Sequence, residues 1–152
     1  MAEYVVLDSG PLGLASRNRN HSRAAPFHLW MDALLVRGVD IIVPEITDYE
    51  LRRELTRIGA KTSIHRLDGL VTTGGLIYAP ITTDQMRQAA ILWADARRQG
   101  IPTAHQHALD ADVILAACAT TIGRPGDHII VATDNVGHLA RYCDARLWMS
   151  IV

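Results

Sequence analysis

A chain of 152 residues, 49% hydrophobic and 20% charged, has the length and balance of one globular domain, and none of its apolar runs approaches the roughly 20 residues that span a bilayer. A formal net charge of −1 and a sequence pI near 6.6 exclude the global basic field that drives nonspecific nucleic-acid binding, so a nucleic-acid partner must be held by local patches or a bound cation. Lys61 is the only lysine, which leaves nearly all the positive charge to arginine, whose planar fork suits phosphate and carboxylate.

The first predicted strand, 4–7, is a short aliphatic run that ends at Asp8, followed by Ser9 and Gly10. Glu3 stands where a secretory signal carries positive charge, and the run is only a strand long, so export is not expected and the cytoplasm is the expected location. A carboxylate at the C-terminal end of a first strand lies where open parallel sheets place their ligand crevices. Asp8 also suits the simpler task of capping the turn or helix that follows. The polar stretch 16–23 reads as a loop, and helical periodicity resumes over 25–37.

Strand 39–43 leads into a predicted helix at 46–58, with Glu50 about one turn inside. Glu45, Asp48 and Glu54 are rival carboxylates. Glu50 shares a helix face with Ile46, Arg53, Glu54 and Arg57, whereas Asp48 is rotated from it by roughly 200°. Arg53 and Arg57 suit two roles: guiding phosphates toward an acidic pocket, or pairing with Glu50, Glu54 or solvent.

Helix 61–72, strand 76–78 and helix 84–99 follow, and 101–107 reads as a connection. His105 and His107 flank a glutamine there, a pattern that fits a plain polar loop better than an accessory metal or phosphate contact. Asp110 and Asp112 come next, at the start of a strongly apolar helix, 110–122, which is expected to be buried. A helix dipole favours acids at its N-terminus, which accounts for one of the two better than for both. The buried strand 129–132 exits into Thr133, Asp134 and Asn135, another acid beside two polar residues able to position a metal-bound water. The last strand is predicted at 146–152.

Gly38, Gly59, Gly75, Gly100 and Gly123 each fall just past a periodic segment, where a residue without Cβ closes a helix. Continuously apolar strands alternating with helices predict an α/β fold, a mostly parallel sheet with helices on both faces. With no repeat and no linker, residues 1–152 are expected to form a single domain. Cys118 and Cys143 lack paired spacing and read as reduced structural thiols. Trp30, Trp93 and Trp148 are well separated, which suits core or dimer-interface roles better than a base-stacking platform.

Four acids from separate segments, each beside a strand end or helix start, are expected to converge. Their mutual repulsion is tolerable only with a divalent cation between them. Carboxylate and water ligands suit Mg²⁺ or Mn²⁺, which would activate a water and stabilise charge on a scissile phosphate.

Leu7-Asp8-Ser9-Gly10, the helix Tyr49-Glu50-Leu51-Arg52-Arg53, the run from Asp112 to Ala119 and the strand exit Thr133-Asp134-Asn135-Val136-Gly137-His138, in this order, resemble the PIN-domain nucleases, above all the VapC-type toxins. The resemblance runs the length of the chain. It implies a PIN-like domain with a five-stranded parallel sheet flanked by helices, a Mg²⁺- or Mn²⁺-dependent endoribonuclease acting on RNA, dimerisation, and inhibition by a small antitoxin of a type II toxin–antitoxin pair. By position, Asp8 and Asp112 match the principal metal-binding acids, Glu50 matches the second acid and Asp134 approximates the fourth, its register against Asn135 open. Asp8 and Asp112 are then expected to ligate the cation, with Glu50 as a third metal-site acid. Glu50 and Asp134 would hold its waters or take a proton, while Ser9 and Thr133 orient the ligands and Asp110 supports them. A haloacid dehalogenase-type phosphatase needs an aspartate where Gly10 stands, and a phospho-accepting receiver domain needs a lysine after a late strand, whereas Lys61 lies elsewhere. The remaining alternative is a noncatalytic module of the same fold that binds RNA or protein.

Overall fold

The computed structural model describes residues 2–100 and 106–152, with side chains from residue 110 onward in the second segment. His105, the His107 side chain and residues 101–105 of the loop expected at 101–107 lie outside the described residues and side chains, while 106 and 107 are helical and not loop.

Five strands form one sheet in the order β3-β2-β1-β4-β5, every pair parallel. They are β1 (Glu3–Leu7), β2 (Asp40–Pro44), β3 (Ile77–Ala79), β4 (His128–Ala132) and β5 (Ala145–Arg146). The helices are α1 (Ser9–Ala15), α2 (Ala25–Val36), α3 (Glu45–Arg57), α4 (Lys61–Thr72), α5 (Thr83–Arg98), α6 (Gln106–Thr121) and α7 (Val136–Leu139).

Successive strand residues point to opposite faces, and the core divides accordingly. Val5, Leu7, Ile41, Val43, Ile130 and Ala132 pack with Leu12 of α1, Phe27, Met31 and Leu34 of α2 and Leu67 of α4. Val6, Ile42 and Val131 pack on the other face against Ala111, Leu115 and Ala119 of α6 and Leu139 of α7. Strands enclosed on both sides must be apolar throughout, which is why they read as continuous runs. Helix α3 joins both layers, with Ile46 in the second cluster and Leu51 and Leu55 against the first.

All five predicted helix-closing glycines have positive φ, from 62° at Gly100 to 82° at Gly38 and Gly75. The segmentation of α2 to α5 therefore holds to within a residue or two. Three expectations need correction. The segment 9–15, assigned no element from the sequence, is helix α1. The last strand covers two residues and not 146–152, because the chain turns into a 3₁₀ helix at Trp148–Ser150. There Trp148 packs against Phe27 and Trp30, and the Trp30 indole N–H donates to the Ile151 carbonyl at 2.8 Å. Helix α6 begins at Gln106, so Asp110 and Asp112 lie inside it and neither caps its start.

Trp93 packs in a smaller cluster of Ala89, Ala96, Val113 and Ala117 between α5 and α6. Both cysteines are free, and burial pushes both thiols up to about 11, as suits structural residues. No described helix is long and apolar enough to cross a membrane.

Candidate active site

From β1 the chain runs outward through β2 to β3 and then resumes on the opposite side of β1 with β4. The C-terminal ends of β1 and β4 therefore face a topological switch point, the place where open parallel sheets bind ligands. Leu7 pairs with Ala132, which puts Asp8 opposite Thr133, and the Asp8 N–H donates to the Ala132 carbonyl at 3.0 Å.

Asp8 has extended backbone (φ −78°, ψ 173°) and caps α1. Its Oδ1 accepts from the Ser9 N–H at 2.7 Å, and its Oδ2 accepts from the hydroxyl of buried Thr133 at 2.7 Å. Thr133 Oγ1 in turn accepts from the Asn135 N–H at 2.9 Å. The cap and the site interpretations of Asp8 thus coexist: one carboxylate oxygen starts the helix, and both are held in a fixed direction.

Around it, Asp8, Ser9, Gly10, Glu50, Asp112, Asp134 and Asn135 line one pocket of about 290 Å³. Four carboxylates from the ends of β1 and β4 and from α3 and α6 meet there, and no arginine or lysine lines the wall. Burial, then the charges of Asp8 and Asp112, push Glu50 up to about 7 against the opposing pull of Arg53. Burial and Asp8 raise Asp112 to about 6, while His138, with Nδ1 at 3.9 Å from Oδ2, pulls the other way. The donors are all oxygen, the chemistry that suits a hard divalent cation. Among the described residues, however, no three His, Cys, Asp or Glu side chains form a closed group around a common point.

The rival acids are engaged elsewhere. Glu45 accepts from the Tyr78 hydroxyl and the Ile81 N–H, both at 3.0 Å. Asp48 and Asp68 hold Arg52, and Glu54 holds Arg57. Asp110 is exposed and lines a different hollow beside Trp93, since residues two apart on a helix point roughly 200° from each other. Arg53 lies over the Tyr49 ring, and neither it nor Arg57 lines the acidic pocket.

The sequence reading assigned no role here to two residues. A Cβ on Gly10 would lie 2.1 Å from Asp134 Oδ2, so the absent side chain is what admits Asp134. His138 accompanies Asp112 and contacts the Asn135 amide at 3.1 Å. Its spacing of i+3 from Asn135 was the available signal.

No protein-family model matches the chain, and no curated protein does. Solved structures of similar shape include VapBC2 from Rickettsia felis, bound to a DNA fragment from its promoter, with 14% identity, a TM-score of 0.72 and coverage of 95% of this chain and 98% of that one. FitAcB from Neisseria gonorrhoeae is similar at 19% identity and a TM-score of 0.66, covering 97% and 99%. VapC20 from Mycobacterium tuberculosis, a sarcin–ricin loop cleaving toxin, is similar at 14% identity and a TM-score of 0.61, covering 93% and 98%. The architecture, an all-parallel five-stranded sheet between helices, matches that of PIN-domain VapC structures.

Proposed function

We propose that the chain is a PIN-domain endoribonuclease of the VapC type, a single domain over residues 1–152 that hydrolyses RNA phosphodiester bonds with Mg²⁺ or Mn²⁺ and serves as the toxin of a type II toxin–antitoxin pair. One observation carries this reading: four carboxylates from separate segments line one pocket at the switch point, where burial and mutual repulsion raise two of them. The toxin–antitoxin complexes among the similar structures favour a small antitoxin as inhibitor, and a second copy of the chain is the proposed assembly partner, in the cytoplasm.

Asp8 and Asp112 are the proposed direct ligands, with Glu50 as the third acid of the metal site. The bound cation would activate water and offset charge developing on the scissile phosphate. An all-oxygen donor set suits Mg²⁺, which keeps several waters and takes one or two carboxylates with substrate phosphate. Thr133 and the Ser9 N–H fix the Asp8 carboxylate, so its free lone pairs keep one direction. Glu50 is suited to hold a water of the cation or to take a proton from the attacking one, and Asp134 to hold a water at the rim.

Purified protein is expected to cut single-stranded RNA with Mn²⁺ and to stop when the ion is chelated. Asp8→Asn is expected to reduce cleavage to background while circular dichroism remains native. Undiminished cutting by Asp8→Asn would exclude the metal role. A noncatalytic module of the same fold predicts RNA retention without cleavage in the same assay.

A further inference from the structure

One further hollow shares walls with the acidic pocket, and a third shares walls with that hollow. Ser9 and Gly10 line both the pocket and a hollow of about 490 Å³, and Arg17, Asn18 and Arg66 line both that hollow and a third of about 540 Å³. Together they make one trough that begins at the carboxylates, follows α1 and passes the turn after it to reach α4. Helix α1, Ser9–Ala15, spans about 10 Å, the length of about three stacked nucleotides at roughly 3.4 Å each.

Charge reverses along this trough. No carboxylate lines the second hollow, and the one in the third, Asp32, is paired with Arg19. Arg17 and Arg66 form no ion pair among the described residues, whereas Arg52, Arg57 and Arg146 are each held by acids. Arg17 also springs from an anchored backbone: its carbonyl contacts Nε2 of His28, a residue only 4% exposed, at 3.0 Å. Guanidinium groups on the walls of one trough can each take a phosphate, and a polyanion threaded from the acidic end supplies such charges in series.

We infer that this trough carries the RNA strand away from the scissile bond, with Arg17 and Arg66 as positioning residues that each take a phosphate. The inference rests on the nuclease reading and assigns its substrate a path. It is tested by fluorescence anisotropy with a labelled single-stranded RNA, titrated over a range of KCl concentrations in an Asp112→Asn background that does not cut. Arg17→Ala with Arg66→Ala is expected to weaken binding and to flatten the slope of log K against log salt by about 1.4, about 0.7 per lost phosphate contact. Lysine at both positions is expected to restore the slope, and Arg124→Ala, the loss of one positive charge at an exposed site ahead of β4, to leave it unmoved. In the cutting-competent chain the double alanine variant should raise KM more than it lowers kcat. An unchanged slope and KM in a chain that still cuts RNA would overturn the path while sparing the nuclease reading, and would leave the trough to a protein segment. The expected slope change in a chain that never cuts with Mn²⁺ would support the path and refute the nuclease reading.

Discussion

Glu50 and Asp112 titrate at about 7 and about 6 in the folded chain, above their ordinary values of 4.5 and 3.8. The folded state therefore binds more protons than the unfolded one across this interval, and stability present below the ordinary values is lost as pH rises through the raised ones. Without metal, the melting temperature is expected to fall between about pH 5 and about pH 8, as carboxyls protonated in the fold are forced to ionise. Glu50→Gln should flatten that fall and raise the melting temperature at the alkaline end while abolishing cleavage, and calorimetry across the range checks it. A variant no more stable than the parent at about pH 8 would contradict the repulsion described for Glu50. Gly10 supplies a separate test. The helical φ of Gly10 accommodates alanine and Asp134 is exposed enough to swing aside, so Gly10→Ala should fold normally. If Asp134 serves the reaction, that variant should lose activity, and adding Asp134→Ala to it should cost little more.

At the level of elements, strands β1, β2 and β4 and helices α2 to α5 were readable because each has a period matching its burial and a glycine or turn beyond it. Helix α1 was not, since its seven residues include two glycines and a proline and show no helical period. It forms because Asp8 caps it and Pro11 falls in the first turn, where no intrahelical N–H partner is required. The same cap hid one site residue, since Gly10 looks like turn punctuation until Asp134 is seen against it. Asp8, Glu50, Asp112 and Asp134 were legible from their places beside strand ends, whereas Asp110 was grouped with them only because the start of α6 was set four residues late. Two substitutions on α6 separate its faces. Leu115→Ala, at a fully buried position, should destabilise by about 2–5 kcal/mol in urea unfolding. Asp110→Ala should stay within about 0.5 kcal/mol and leave cleavage unchanged.

Across the whole molecule, a net charge of −1 conceals a local separation of charge, with four acids gathered at the switch point and Arg17 and Arg66, outside any ion pair among the described residues, farther along the trough. A cation that binds only the folded form stabilises it by mass action, about 2.7 kcal/mol at a hundredfold excess over Kd. At about 2–4 °C per kcal/mol for a chain of this size, saturating Mn²⁺ should raise the melting temperature by roughly 5–11 °C, and Asp112→Asn should remove most of that rise. Solved structures that share this fold at TM-scores of 0.61 to 0.72 and only 14% to 19% identity show that it can be built from sequences with few residues in common. Helix α6 restricts where such change can fall, because Asp112 and Leu115 occupy neighbouring turns of one interior rod. Any adjustment of that carboxylate's position must be accommodated by the packing beneath it. Sequence change is therefore steered toward the rim formed by residues 17–23, between buried Ser16 and Ala24, where exchanges leave the interior undisturbed.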